Sequence, residues 1–400
     1  MKSTNQKLAE LVRAAIKELD PARLIEKRHI GNIGKFKRVY IVAIGKAAGP
    51  MTKRVQKLAG KKVVKVLKAD SGHPLPTNVS VRNGKRIAGL AGSLTTRDLV
   101  IVLISGGGSA MFEVPAEGVD LKDVIKTTRL LLKSGANINE INVVRKHISQ
   151  VKGGNLARLL YPAHVTGLII SDVVGNDVST IASGPLTPDP STFRDAMEIL
   201  KKYKLTTRIS GAVLSHLRSS RYETPKANEK WFKNVSVKII ADHSLVLKKA
   251  MEHGKKLGFN VIGLTDKLKG EARDIGAYLV KNAGNWPQKN DKKKTLYIAS
   301  GETTVTVRGS GKGGRNQEFV LGGLEHLTPG MTILSVGTDG VDGMCPKKVA
   351  GAIGSSGNKS GEIRKFLKNN DSYGYFKKHG GHIVTGPTGT NLGDLAIIVA

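Results

Sequence analysis

The sequence predicts an α/β protein of two domains, with strands gathered into mostly parallel sheets by helical crossovers. Short, continuous apolar runs that close on glycine or a small polar residue read as strands buried on both faces. Between them lie amphipathic segments of helical period, the alternation that βαβ units require. The length, 400 residues, exceeds what a single core ordinarily holds.

Taken in order, MKSTNQKLAELVRAAIKEL at the start reads as an amphipathic helix and not a secretion signal. RVYIVAIG (38–45) is a buried parallel strand, 46–60 a helix, 62–69 a strand and 84–96 a helix. DLVIVLIS (98–105) is the strongest strand of the chain and runs straight into Gly106-Gly107-Gly108. Helices follow over 120–135, with Asp120 as cap, and over 140–161, then a strand over 164–172. Residues 201–232 are polar and lack a regular period, which places a domain boundary near 230. A second β-α series then runs 236–242, 243–258, 259–265 and 271–284, with a loop over 284–294. Strands over 295–301 and 303–309, a helix over 316–327 and strands over 331–337 and 395–400 complete the chain.

Composition excludes several classes. One cysteine, Cys345, leaves no disulfide framework and no cysteine zinc site. No apolar stretch approaches the roughly 20 residues that span a bilayer, so a soluble, cytoplasmic protein with no membrane partner is expected. Lys and Arg number 64 against 32 acidic residues, a net charge of +32. The basic runs at 61–68, 201–204 and 289–294 lie far apart and lack the interleaved aromatics of single-strand binders. A positive field that gathers small anionic substrates is therefore preferred to a nucleic-acid partner.

The unusual residues fall where the predicted strands end, the place where open α/β sheets bind ligands. Lys46, in Gly45-Lys46-Ala47-Ala48-Gly49, sits at the start of a helix, an unfavourable position for a cation unless an anion lies between. Ser105-Gly106-Gly107-Gly108-Ser109 can bring consecutive N–H groups close to a phosphate. Asp172 ends a strand, where it could hold Mg²⁺ or accept a proton. Asp177 and Asp189 suit a helix cap and a turn as well as they suit a site. The loop 309–314 matches G-x-G-x-x-G, yet Lys312 and Arg315 would crowd a pyrophosphate with cations, and the strand before it alternates instead of being buried. Such a loop ending in Arg315 better clamps a carboxylate or a transferring phosphoryl group. Asp339 and Asp342, either side of Gly340, offer oxygen ligands for Mg²⁺ or a turn. No Walker motif, G-x-S-x-G elbow or histidine metal spacing occurs.

Together these segments resemble the MOFRL-type glycerate 2-kinases. The resemblance rests on Gly45 to Gly49, Ser71-Gly72-His73-Pro74, Ser105 to Ser109, and Ser171-Asp172-Val173 through Asp189-Pro190. It continues in Ser300-Gly301-Glu302-Thr303-Thr304, Gly311 to Glu318, Gly337-Thr338-Asp339-Gly340 and Gly386-Pro387-Thr388-Gly389-Thr390-Asn391. It implies a Rossmann-like N-terminal domain (1–230), a smaller α/β C-terminal domain (231–400) and an active site in the cleft between them. It also implies transfer of the ATP γ-phosphoryl group to the 2-hydroxyl of D-glycerate with Mg²⁺, a reaction that in archaea closes a non-phosphorylative Entner–Doudoroff route. By the same resemblance the key cations are Lys46 and Arg315, with Asp172 or Asp189 orienting or deprotonating the hydroxyl. Ser105, Gly106, Gly107, Gly108, Ser109, Glu302, Asn316, Thr388 and Asn391 would bind substrate or phosphate, and Asp177, Asp339 and Asp342 the metal. Gly343-Met344-Cys345-Pro346 departs from the family's small acidic run after Asp342. A homodimer is compatible with this reading. Two other classes stay open: an NAD(P)-dependent hydroxypyruvate reductase, from the glycines at 309–314, and a basic nucleic-acid-binding protein, from the net charge.

Overall fold

The computed structural model describes residues 2–72, 74–219, 222–286 and 293–400. His73 of the Ser71–Pro74 segment and most of the loop expected over 284–294, with its basic run, lie outside the described residues. The chain forms two compact units. One comprises residues 24–170 and 176–240, the other 1–23, 171–175 and 241–400. The division thus falls near 240, and the first helix belongs with the C-terminal unit.

That helix, α1 (Thr4–Glu18), opens on a capping box in which Ser3 and Gln6 satisfy each other's backbone N–H groups. It buries Leu8, Leu11, Val12 and Ile16 and packs in the C-terminal unit.

The N-terminal unit is built on a five-stranded sheet in the order β2-β1-β3-β4-β5. Its strands are β1 (Arg38–Ile44), β2 (Val63–Ala69), β3 (Asp98–Ile104), β4 (His164–Ile170) and β5 (Val235–Ala241). β1 pairs in parallel with β2 and β3, and β3 with β4. The apolar run of β3 is buried throughout, as its composition requires of a central parallel strand. Arg38 and Asp98, register partners at the starts of β1 and β3, form a two-pronged ion pair at 2.8 and 2.7 Å. Helix α2 (Ala48–Ala59) follows β1. The helix expected over 140–161 is divided: α3 spans Ile138–His147, the chain turns through Gly153 and Gly154 at positive φ, and α4 covers Asn155–Leu160. The polar stretch 201–232 also holds a helix, α5 (Gly211–Ser219), whose Val213 and Leu217 join a core with Val144, Phe193 and Leu200.

The C-terminal unit carries a six-stranded sheet in the order β10-β9-β8-β11-β7-β6. The strands are β6 (Asn260–Leu268), β7 (Thr295–Gly301), β8 (Thr332–Gly337), β9 (Gly351–Ser355), β10 (His382–Ile383) and β11 (Asp394–Val399). Only β6 and β7 are parallel; β11 runs antiparallel to both β7 and β8, and β9 to β8 and β10. A mostly parallel sheet is therefore right for the N-terminal unit and wrong here. An apolar run buried on both faces has no direction, so Leu395–Val399 reads the same in either pairing. Helix α6 (His243–Lys256) packs with α1, where Glu18 pairs with Lys249 and His253, each at 2.8 Å. Helices α7 (Ala272–Ala283) and α8 (Arg315–Leu324) share one apolar cluster with Tyr297, Ile333 and Ile398. The strand expected over 303–309 does not form; the Thr304 N–H goes to the Gly270 carbonyl, that of Thr306 to the Glu271 carboxylate, and those of Arg308 and Gly309 to Asn370 Oδ1. No helix of the described residues is long and apolar enough to cross a membrane.

The Arg38 guanidinium, opposed by burial and helped by bonds from Thr95, holds the Asp98 carboxyl at about 2, below its ordinary value. A depressed carboxylate contributes stability above its unfolded pKa and loses it as pH falls through the folded one. The stability difference between the wild type and Asp98→Asn should therefore shrink by about 2 kcal/mol between pH 5 and pH 2, measured by urea unfolding at each pH.

Candidate active site

The register of β1 and β3 sets Ile44 beside Ile104, so their two following loops emerge side by side. Gly45 has φ +108°, and a side chain there would collide with the carbonyl of Ser105. This close approach lets the Lys46 N–H reach the Gly106 carbonyl at 3.0 Å and the Ala47 N–H reach Ser105 Oγ at 3.0 Å. Lys46 is exposed and lies just ahead of α2, whose N-cap, Ala47, offers no side-chain acceptor. The Ser105–Ser109 turn then passes into a single helical turn, Gly108–Met111. Among the described residues no protein acceptor takes the N–H of Gly106, Gly107 or Gly108. Three backbone donors and an uncapped helix start thus converge beside a lysine, the donor set of an anion site.

The turn is fixed from behind. Ser109 Oγ lies 3.2 Å from Ser183 Oγ, which donates to Asn142 Oδ1 at 3.0 Å. Arg145 Nη2 donates to the Ser109 carbonyl at 2.7 Å. Both Asn142 and Arg145 come from α3. Ala182 and Ser183 hold φ of 51° and 60°, a left-handed conformation that costs non-glycine residues about 1–3 kcal/mol each. The strained pair presses on the turn, since Ala182 Cβ leaves bare room for Gly108. Deeper, Lys152 is fully buried and donates to Glu113 at 2.7 Å and to the Phe112 carbonyl at 2.8 Å. Burial pulls Lys152 down to about 8 against the attraction of Glu113.

The three aspartates after β4 do different work. Asp172 is half-buried and accepts from Asn391 Nδ2 at 2.9 Å. Asp177 closes a turn, accepting from the Ser179 N–H at 2.9 Å and Thr180 Oγ1 at 3.0 Å. Asp189 is 1% exposed; its Oδ1 meets Lys146 at 3.3 Å and Ser191 Oγ at 2.7 Å, and its Oδ2 is buried without a donor. Asp189 is thus an internal anchor, removed from any incoming hydroxyl.

In the C-terminal unit, Arg315 opens α8. Its Nε donates to Asp394 at 2.7 Å and its Nη1 pairs with Glu302 at 2.9 Å. Burial works against this charge, but Asp394 and Glu302 outweigh it and hold the guanidinium well above its ordinary range. Asn316 bridges Asp394 and Asp342 through Nδ2 at 2.9 and 3.2 Å. Asp342 corrects an expectation. It is 1% exposed and accepts from the Asn316 and Gln317 N–H groups and from both their side-chain amides. Those four donors make it the anion that caps α8, and Gly314 is glycine because a Cβ would run into that carboxylate. Asp339 accepts the Val341 N–H at 3.0 Å in a turn, and Thr388 Oγ1 donates to the Thr338 carbonyl at 2.6 Å.

The glycine loop 309–314 is closed off. Gly309 N–H and Arg308 N–H donate to Asn370 Oδ1, Ser310 to Asn369 Oδ1, Gly311 to the Asn369 carbonyl and Lys312 to Asp371 Oδ1, all within 3.1 Å. Five consecutive N–H groups, those of 308–312, are thus already used, which disfavours the dinucleotide reading of this loop. Among the described residues no group of three or more His, Cys, Asp and Glu is disposed to hold a metal ion. Mg²⁺ shared with substrate phosphates needs only one or two carboxylates, and the half-buried Asp172 and Asp339, flanking the 388–391 turn, meet that lesser demand. Sequence reasoning did not pick out Asn142, Arg145, Ser183 or Asp394 as site residues. The signal for the first two was a run of polar residues on what must be an inward helix face; Ser183 and Asp394 gave none beyond their loops.

Comparison with known proteins agrees with this geometry. Residues 7–218 match a domain of unknown function (DUF4147) and residues 295–394 the MOFRL family. The chain is 39% identical to the D-glycerate 2-kinase of Thermotoga maritima, over 98% of this chain and 97% of that one. It is 37% identical to the glycerate 2-kinase of Pyrococcus horikoshii, over 97% and 96%. The crystal structure of the Thermotoga maritima glycerate kinase matches with a TM-score of 0.85 at 37% identity, covering 98% of each chain. A relative from Agrobacterium vitis, 38% identical over 82% of this chain and 87% of its own, is provisionally named a hydroxypyruvate reductase. The fold and its loops are those of a small-molecule phosphotransferase. The chain belongs to the MOFRL-type glycerate kinase family.

Asp342→Ala would strip the α8 start of its buried acceptor and leave the backbone N–H groups of Asn316 and Gln317 without one. It should cost about 3 kcal/mol or more in urea unfolding, whereas Asp339→Ala, at a half-buried turn, should cost less than about 1 kcal/mol.

Proposed function

We propose that this protein is a glycerate 2-kinase that transfers the γ-phosphoryl group of ATP to the 2-hydroxyl of D-glycerate, giving 2-phospho-D-glycerate and ADP. Family membership supports the reaction. The single structural observation that carries it is a contrast between two glycine loops: the N–H groups of 309–312 are taken by protein acceptors, while among the described residues those of Gly106–Gly108 are not. That distribution favours phosphate at the end of β3 and disfavours the dinucleotide a reductase would need.

In this reading the N–H groups of the Ser105–Ser109 turn hold phosphate oxygens and the Lys46 ammonium neutralises charge as it develops on the transferring group. Arg315, its Nε and Nη1 fixed by Asp394 and Glu302, presents the remaining edge of its fork to the glycerate carboxylate or the γ-phosphate. Asp172, steadied by Asn391, orients the 2-hydroxyl and takes its proton as the oxygen–phosphorus bond forms and the bond to the ADP oxygen breaks. Asp339 would hold Mg²⁺, which when bound would offset the charge of the triphosphate. Asp189, committed to Lys146 and Ser191, has a structural part. The strongly positive net charge raises the local concentration of both anionic substrates.

The test is direct. The protein incubated with D-glycerate, ATP and Mg²⁺ should yield 2-phosphoglycerate by phosphorus NMR. 3-Phosphoglycerate would keep the kinase and overturn the position, and intact ATP would overturn both. Lys46→Ala and Arg315→Ala should each lower kcat by a hundredfold or more, about 3 kcal/mol, in protein that remains folded by circular dichroism. Near-native rates in both would show that the phosphoryl group is handled elsewhere.

A further inference from the structure

We propose that the N-terminal unit carries a second binding site, one for a small organic anion, in a pocket bounded by the end of α3, by α4 and by α5. The pocket has a volume of about 440 Å³, within the usual range of roughly 300–1,000 Å³ for small-molecule sites. It contains none of the residues given a part in phosphoryl transfer above, so it does not depend on that reading.

Charge indicates the sign of the occupant. The cations Lys146 and Arg158 line the pocket with a single carboxylate, the exposed Glu117; of the two imidazoles in the lining, burial favours the neutral form of His216 and His147 has Glu223 at 3.7 Å. Lys146 is already balanced by Asp189. Arg158 is not balanced. It is half-buried and makes no ion pair among the described residues. Glu229, the carboxylate that bears on it, spends its oxygens on the Lys226 N–H and the Trp231 indole, both at 2.6 Å. No carboxylate oxygen bonds the half-buried guanidinium directly, and a bound anion would supply that bond. Burial accordingly lowers the Arg158 pKa.

The walls indicate the body. Phe193 stands edge-on to His147 at 5.1 Å and to His216 at 5.5 Å, so the wall on this side is built of aromatic rings. His147 and His216 are themselves fixed, His147 Nδ1 on the Val143 carbonyl at 2.8 Å and His216 Nε2 on the His147 carbonyl at 3.0 Å. Asn155 adds a further element: its Nδ2 donates to the Ser149 carbonyl at 3.2 Å, and its Oδ1 is buried with no donor. The complementary molecule has a carboxylate or phosphate for Arg158, a flat apolar body for the aromatic face, and a hydroxyl or N–H for Asn155.

Titration calorimetry of the full chain with 3-hydroxybenzoate and with phenyl phosphate tests this and separates the two anionic heads. At least one probe should give a saturable one-site isotherm. Arg158→Ala should weaken it about tenfold or more. Ser215→Trp should abolish it, because Ser215 is exposed and lines the pocket, so the indole fills the space without cutting into the core. Lys46→Ala should leave binding unchanged. The proposal falls if neither probe binds the wild type, if Ser215→Trp binds as the wild type does, or if binding is lost in Lys46→Ala alone. Should Arg158→Ala fail to fold, Ser215→Trp decides the question.

Discussion

The contact of Gly45 with Ser105 is the constraint on which the N-terminal site depends. Two parallel strands in register end at the same level, and only a residue without a side chain lets the first loop lie against the second. From that approach follow the bond from Lys46 to Gly106 and the bond from Ala47 to Ser105. The lysine and the glycine turn are therefore one rigid assembly, positioned by sheet hydrogen bonds. The strain at Ala182 and Ser183 belongs to the same assembly, because it brings Ser183 Oγ within reach of both Ser109 and Asn142. Strain of this kind persists only where the surroundings over-determine it, and α3 provides that through Asn142 and Arg145.

The two units solve the same electrostatic problem in opposite ways. A helix N-terminus carries partial positive charge and N–H groups without partners. At α8 the protein supplies the anion itself, Asp342, and buries it. At α2 the N-cap residue, Ala47, has no side-chain acceptor to offer, and among the described residues the neighbouring glycine turn keeps its donors as well. The first arrangement stabilises the fold, and the second leaves a field for a ligand to complete. Arg315 stands on the stabilised helix, and its two carboxylate partners fix the direction of its fork more firmly than solvent could.

Much of this was legible in the sequence. The apolar runs at 38–45 and 98–105 located β1 and β3, and the glycines after them located the two loops that meet at Gly45 and Ser105. What the sequence left obscure has physical causes. A buried apolar run does not state its direction, so the antiparallel setting of β11 was hidden. The 309–314 loop has the spacing of a dinucleotide fingerprint, but the fate of its N–H groups is decided by Asn369, Asn370 and Asp371, remote in sequence. The carboxylates Asp342 and Asp189 looked like ligands because an acidic residue in a loop has the same letter whether it faces solvent or four amide donors. Arg145 was missed because a helix was assigned to its segment without asking which of its polar residues must point inward.

The placement of α1 bears on how the chain comes to be folded. Glu18 meets His253 across 235 positions of sequence, and the apolar face of α1 is buried in a unit whose other elements lie after residue 240. During synthesis α1 thus emerges well before the elements it packs with. The strands β1 to β5 can assemble while α1 is still exposed, an amphipathic helix with Leu8, Leu11 and Ile16 uncovered. Closing the unit that holds α1 joins segments more than 200 residues apart, a long-range step of the kind that folds slowly and exposes apolar surface in the interval.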